Sequence, residues 1–97
     1  MSKTVHTEAV KHLFEAVLQL ENVEECYQFF EDVCTINELL SLSQRFEVAK
    51  MLTENKTYLE IAEQTCASTA TISRVNRSLN YGHDGYQMVF SRMEKNQ

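Results

Sequence analysis

The sequence predicts an all-α fold of six helices, and three observations lead to that prediction. The 97-residue chain has no proline and two glycines, Gly82 and Gly85, both late in the chain. β-Sandwiches and barrels need turn residues much more often than this. Apolar residues recur at helical rather than alternating spacing. Residues that commonly cap helix N-termini, Asn22, Thr57 and Ser68, precede three of the periodic segments.

The first two predicted helices each carry one apolar stripe. Residues 7–20 have apolar side chains at i, i+3, i+4, i+7 and i+8. Residues 23–34 form the second helix, which Asn22 is placed to cap. The stripe residues are Val10, Leu13, Phe14, Val17 and Leu18 in the first helix, and Cys26, Phe29, Phe30 and Val33 in the second.

The third predicted helix covers residues 36–52. Thr35 and Glu38 have the spacing of a capping box, in which each side chain accepts a hydrogen bond from the other residue's backbone amide. The predicted apolar positions are Ile36, Leu39, Leu40, Val48, Ala49 and Leu52. The helix is expected to end near residues 54–55.

Two short helices follow with a turn of three or four residues between them. Thr57 and Glu60 form a second capping-box pair that opens a helix over residues 58–65, and Ser68 is placed to cap a helix over residues 69–79. The loop at residues 80–85 separates them from a last helix over residues 86–94. The inward-facing residues of the pair are predicted to be Leu59, Ile61, Ala62, Ile72, Val75 and Leu79.

This pair predicts a helix-turn-helix over residues 57–79, in which a second helix enters the DNA major groove. The predicted outward residues contain no acid and can approach phosphates or base edges; they are Thr69, Ala70, Thr71, Ser73, Arg74 and Arg77. Any two consecutive amphipathic helices share this pattern, and Cys66 stands where many such turns have glycine. The alternative is therefore a protein–protein interaction module that does not bind DNA, which the net charge of −5 favours.

The charge is unevenly distributed along the chain. Residues 1–40 hold two basic and eight acidic side chains, whereas residues 41–80 hold five basic and four acidic ones. Residues 64–80 contain Arg74, Arg77 and no acid. The acidic total therefore permits a local surface that binds polyanions.

Other classes of function find no support in the residue pattern. Cys26, Cys34 and Cys66 lack metal or redox spacing, and we predict buried reduced thiols. The histidines form no i,i+4 pair with each other, and no nucleophile–base arrangement is visible, so we expect no metal, no cofactor and no enzyme activity. No signal peptide or membrane span is apparent, so the protein is expected to be soluble and cytoplasmic, without a membrane partner.

The run ATISRVNRSL resembles the recognition helix of the Trp repressor family, and in particular the branch known as YerC/YecD. The matching residues are Ala70, Thr71, Ile72, Ser73, Arg74, Ser78 and Leu79, with Thr35, Glu38, Leu42 and Arg45 upstream. The resemblance implies six helices per subunit in an intertwined homodimer. Residues 7–53 would then form the dimerisation and core helices, residues 57–79 the helix-turn-helix, and residues 85–95 the C-terminal helix.

The resemblance also implies a function. The protein would be a sequence-specific DNA-binding transcriptional regulator, acting as a repressor on a two-fold symmetric operator in double-stranded DNA. Thr69, Ala70 and Ser73 match positions that approach base edges, whereas Thr71 and Arg77 match phosphate contacts. Lys50 and Lys56 could reach the backbone or belong to a solvated face, and Arg74 could contact phosphate or an effector.

A possible effector pocket follows from the same resemblance. Thr35, Arg45, Arg74 and Ser78 match the positions that hold tryptophan in the family. Val75 stands where the family has a glycine against which the indole ring lies. Three extra carbons in a packed site typically cost about 1–3 kcal/mol, which argues against tryptophan as the co-repressor. Either Val75 fills the space and no effector is needed, or the pocket takes a smaller ligand.

Overall fold

The computed structural model describes residues 3–96, and all regular structure in that range is helical. The six helices are α1 (Glu8–Val17), α2 (Val23–Val33), α3 (Ile36–Thr53), α4 (Tyr58–Thr65), α5 (Thr69–Tyr81) and α6 (Gly85–Lys95). The predicted all-α class and helix number are therefore confirmed. The chain forms two compact units, Met1–Ile36 and Asn37–Gln97.

The first unit contains α1 and α2. The side chain of Thr7 caps α1 by accepting the Val10 amide, and the Asn22 side chain caps α2 by accepting the Glu25 amide at 2.9 Å. The Phe29 and Phe30 rings meet edge to face. Neither helix has a fully buried residue, so both apolar stripes remain largely open in the single chain.

The first helix is shorter than predicted. Its last residue is Val17, because the amides of Gln19 and Leu20 bond three residues back, to Ala16 and Val17, and thereby form a turn. The apolar spacing of this segment continues past the point where the helical hydrogen bonds stop.

The second unit holds the hydrophobic core. Its buried residues come from α3, α4, the turn after α4 and α5, and Tyr86 and Phe90 of α6 pack against them. The core residues are Val48, Ala49, Met51, Ile61, Ala67, Ile72 and Val75. Burial of Val48, Ala49, Ile61, Ile72, Val75 and Leu79 agrees with the predicted inner faces.

The inward orientation predicted for Leu59 is wrong, and two apolar positions of α3 are exposed as well. Leu59 is 70% exposed, because it lies on the solvent side of α4 while Ile61 faces the core. Ile36 and Leu40 are also exposed. The early part of α3 contributes no buried residue, since the core begins at Val48.

The helix ends in this unit are defined by specific hydrogen bonds. After α3, Asn55 adopts the left-handed conformation with φ 62°, and the Lys56 amide bonds to the Met51 carbonyl, as in a Schellman motif. At the other end of the unit, the Gln87 side-chain amide donates to the Leu79 carbonyl at 2.6 Å and ties α6 to α5. The helix α5 runs two residues further than predicted, through Tyr81.

The cysteines do not follow the prediction of buried thiols. All three are free, but Cys26 and Cys66 are exposed and Cys34 is half-buried. Cys26 belongs to a helix without buried residues, and Cys66 forms the tight turn after α4.

No helix within residues 3–96 has the length and apolar character to cross a membrane.

Candidate nucleic-acid interface

The helices α4 and α5 pack against each other and are joined by three residues, Cys66 to Ser68. Thr57 and Glu60 form the predicted capping box at the start of α4. The Thr57 amide donates to the Glu60 carboxylate at 2.7 Å, and this bond lowers the pKa of that carboxyl group. This capped start is the feature that fixes where α4 begins.

The turn between the helices is held by a short chain of hydrogen bonds. The Gln44 side-chain amide donates from α3 to the Thr65 carbonyl at 3.0 Å, and the Thr65 hydroxyl donates to the Ile61 carbonyl at 2.7 Å. The Ala67 amide donates to the same hydroxyl, and the Ala67 side chain is buried in the core. The angle between α4 and α5 is thereby fixed from α3 as well as from the turn itself.

The backbone at Cys66 makes the change of direction possible. Cys66 has φ 60° and ψ 18°, in the left-handed region that favours glycine. Its amide still bonds to the Ala62 carbonyl at 2.9 Å, so α4 ends with a satisfied backbone group. Cys66 therefore adopts the left-handed backbone conformation that glycine commonly provides in such turns.

Helix α5 begins at a capped N-terminus and has one buried and one open side. The Ser68 hydroxyl accepts the Thr71 amide at 3.1 Å. Ile72, Val75 and Leu79 face the core. Most of the residues predicted to contact DNA are exposed, namely Thr69, Ala70, Ser73, Arg74 and Arg77, while Thr71 is half-buried.

The exposed side of α5 is electropositive by composition. Its first turn contains no acidic residue, so nothing there offsets the positive end of the helix dipole. Arg74 and Arg77 take part in no salt bridge within residues 3–96, where the one recorded pair joins His12 to Glu8. Both guanidinium groups are therefore available to an external anion.

A cavity of about 440 Å³ adjoins this surface, between α3 and α5. It brings together four of the five residues predicted to form an effector pocket: Arg45, Arg74, Val75 and Ser78. Thr35, the fifth, precedes α3 in the first unit.

The sequence interpretation missed Ser41 and Gln44, and it did not place Thr71 and Arg77 in the cavity lining. Ser41, Gln44 and Arg45 have i, i+3, i+4 spacing, so a helical-face argument starting from Arg45 could have found the first two.

The protein has six helices, and its closely joined α4–α5 pair has an open basic face. These features are typical of all-helical DNA-binding regulators. Comparison with known proteins identifies the family. A family model described as Trp repressor protein matches residues 8–94. YerC of Bacillus subtilis is 58% identical over 83 residues, which cover 86% of this chain and 80% of that protein.

Solved structures agree with this match. A TrpR-like protein from Eubacterium eligens has 70% sequence identity, covers 93% of both chains and superposes with a TM-score of 0.91. A structure from Staphylococcus aureus has 53% identity, 96% coverage of both chains and a TM-score of 0.90. The chain belongs to the Trp repressor family, a family of DNA-binding regulators rather than enzymes.

Proposed function

We propose that the protein is a transcriptional repressor that binds a two-fold symmetric operator as a homodimer, with α5 as its recognition helix. The observation that carries this proposal is the two-sided character of α5. Its inner stripe is anchored in the core, and its outer face from Thr69 to Arg77 is open and free of acid. A recognition helix needs this combination of rigid support and accessible donors.

The roles along α5 differ with side-chain chemistry. Thr69, Ala70 and Ser73 are small and lie near the capped N-terminus, where close approach to base edges is sterically possible. Arg77 lies one turn further on and is suited to a phosphate oxygen. Arg74 and Thr71 line the neighbouring cavity as well, so they can serve either surface.

The proposed homodimer rests on apolar side chains that the single chain leaves open. In the first unit, Phe14 is 59% exposed and Leu18 is 80% exposed. Val23, Tyr27 and Val33 of α2 are exposed as well. A set of this size is unusual on the surface of a soluble monomer and typical of a protein interface.

Repression would follow from steric occlusion of a promoter. Two recognition helices related by a two-fold axis would reach successive major grooves on one face of the DNA, about 34 Å apart. Each subunit would read one half-site.

The proposal is tested by selection of genomic fragments with the purified protein. We expect enriched fragments to share a two-fold symmetric sequence whose half-sites lie about one helical turn apart, 10–10.5 base pairs. Binding without sequence preference, or no complex at low salt, would contradict the proposal. Retention of a protein partner in place of DNA would favour the interaction-module alternative.

The dimer has its own test. Phe14→Asp places a charge in the open stripe of α1, and we expect it to shift the protein from dimer to monomer in sedimentation equilibrium. Lys11→Asp on the same helix is the matched control, since Lys11 is exposed and outside the stripe. A wild-type protein that sediments as a monomer at micromolar concentration would contradict the dimer.

A further inference from the structure

We propose that Tyr81, the last residue of α5, donates a hydrogen bond from its hydroxyl to a phosphate of the DNA backbone. The inference rests on the proposed function and deepens it, since it extends the DNA-binding surface of α5 beyond Arg77. The sequence pattern did not predict this contact, because the helix was expected to end at residue 79. The structure continues α5 through Tyr81 and thereby places this side chain on a helix face.

The Tyr81 side chain is open to solvent. It is 87% exposed, more than any other large hydrophobic side chain among residues 3–96. Within that range its ring makes no aromatic contact and its hydroxyl makes no hydrogen bond. A tyrosine hydroxyl can donate one hydrogen bond, and here that donor is available to a partner outside the chain.

Tyr81 lies on the side of α5 that faces away from the core. An α-helix turns about 100° per residue, so Tyr81 lies about 160° around the helix from Leu79 and about 180° from Ile72, which are both buried. It lies within about 40° of Arg74 and Arg77, which are both exposed. Tyr81 therefore continues the row of side chains with which α5 is proposed to meet DNA.

The charge near this end of α5 favours an anion. Residues 64–83 contain no acidic side chain, and Arg77 precedes Tyr81 by about one helical turn, roughly 6 Å along the axis. The C-terminal end of a helix dipole is negative, but its effect falls off within the last turn. The long tyrosine side chain holds its hydroxyl away from the terminal carbonyl groups. A phosphate attracted by Arg77 can therefore accept a hydrogen bond from Tyr81 as well.

The length of α5 favours a phosphate over a base edge as the acceptor. Thr69 and Tyr81 are twelve residues apart, about 18 Å along the helix axis. The major groove of DNA is about 8.5 Å deep. If the helix enters N-terminus first and Thr69 approaches the base edges, Tyr81 lies outside the groove, at the level of the sugar-phosphate backbone. Contacts of this kind orient a protein on the duplex without reading its sequence.

The experiment measures binding of the full chain to a selected genomic fragment by fluorescence anisotropy at several salt concentrations. Tyr81→Phe removes the hydroxyl and keeps the ring. We expect it to weaken binding roughly threefold to tenfold, the net effect of one hydrogen bond. The slope of log K against log salt should stay that of wild type, because a neutral donor releases no counterion, whereas loss of an arginine–phosphate contact reduces the slope by about one.

Tyr86→Phe is the matched control. It removes the same group from α6 and keeps the ring that stacks on Phe90. The Tyr86 hydroxyl makes no hydrogen bond within residues 3–96, so this variant should bind DNA like wild type. Equal affinities for Tyr81→Phe and wild type would overturn the proposal. A reduced salt slope for Tyr81→Phe would overturn it too, since the lost contact would then not be a neutral one.

A fragment of unrelated sequence separates a phosphate contact from a base contact. A phosphate contact predicts the same fold-loss of affinity for Tyr81→Phe on both fragments. A loss confined to the selected fragment would assign Tyr81 to a base edge and overturn the proposal. Sedimentation equilibrium without DNA tests a protein partner in place of DNA. A shift from dimer to monomer in Tyr81→Phe would place the residue in the subunit interface and overturn the proposal as well.

Failure of the proposed function gives a different result from failure of this contact. If wild type binds DNA without sequence preference and Tyr81→Phe weakens that binding, the proposed function is refuted and the contact of Tyr81 with phosphate stands. If wild type selects a two-fold symmetric sequence and Tyr81→Phe binds it equally well, the proposed function stands and the Tyr81 contact is refuted.

Discussion

The turn between α4 and α5 contains a strained residue whose effect on stability can be measured. Cys66 has φ 60°, where an L-residue loses about 1–2 kcal/mol through contact of its Cβ with the following carbonyl oxygen. Glycine avoids that contact but loses more backbone freedom on folding, about 0.5–1 kcal/mol. We therefore expect Cys66→Gly to raise the free energy of unfolding by about 0.5–1 kcal/mol, which corresponds to a rise in Tm of about 2–8 °C.

The control for this change is Cys66→Ala. It removes the exposed thiol but keeps the Cβ, so its free energy of unfolding should stay close to that of wild type. Urea unfolding followed by circular dichroism, at one protein concentration and under reducing conditions, gives both values. If Cys66→Gly is no more stable than Cys66→Ala, the explanation by backbone strain is wrong.

Three further substitutions test the packing and the helix ends. Val75→Ala should lower the free energy of unfolding by roughly 2 kcal/mol, because two buried carbons are lost and a cavity remains. If urea unfolding shows a loss below about 0.5 kcal/mol, Val75 is not packed in the core as described. Gly82→Ala should lower the free energy of unfolding by about 1–3 kcal/mol, since the added Cβ would meet a backbone carbonyl of α5. Gly85→Ala is the control and should not lower it, because the space around its Cβ is open. Equal melting temperatures for the two variants would contradict this explanation. The bond from the Thr57 amide lowers the pKa of the Glu60 carboxyl group. The ionised carboxylate therefore stabilises the folded state at any pH above the unfolded-state pKa. This stabilisation is lost as the pH falls through the lower folded-state pKa. Thermal melts across acidic pH should show this loss of stability in wild type and not in Glu60→Gln. Identical plots of Tm against pH for the two proteins would refute the role of the Glu60 carboxylate.

Local signals predicted the helices well. The caps at Asn22, Thr57 and Ser68 are all present with the expected hydrogen bonds. These predictions succeed because a cap is satisfied within three residues of sequence and does not depend on the rest of the fold. The predicted capping box at Thr35 and Glu38 stays a prediction.

Burial was harder to predict, because it depends on which elements meet. Leu59 and Ile61 are two residues apart on a short helix, and both are apolar, yet one is exposed and the other buried. Periodicity identifies an apolar stripe but does not say whether the same chain covers it. The open side chains of Phe14 and Leu18 illustrate this most clearly.

Part of the candidate site could be predicted from the sequence. The inner stripe of α5 gave its orientation, so the exposure of Ser73 and Arg77 could be anticipated. The cavity could not be derived in the same way, since Gln44 and Arg45 reach it from a helix about thirty residues earlier in the chain. Family resemblance supplied Arg45, whereas Gln44 was not singled out, although it neighbours Arg45 on the same helix.

The most direct test of the central claim is the salt dependence of binding to a selected genomic fragment, measured by fluorescence anisotropy for wild type, Arg77→Ala and Arg92→Ala. If the open face of α5 lies against DNA, Arg77→Ala weakens binding and reduces the slope of log K against log salt by about one, while Arg92→Ala matches wild type. Identical slopes for all three proteins would contradict the placement of α5 on the DNA.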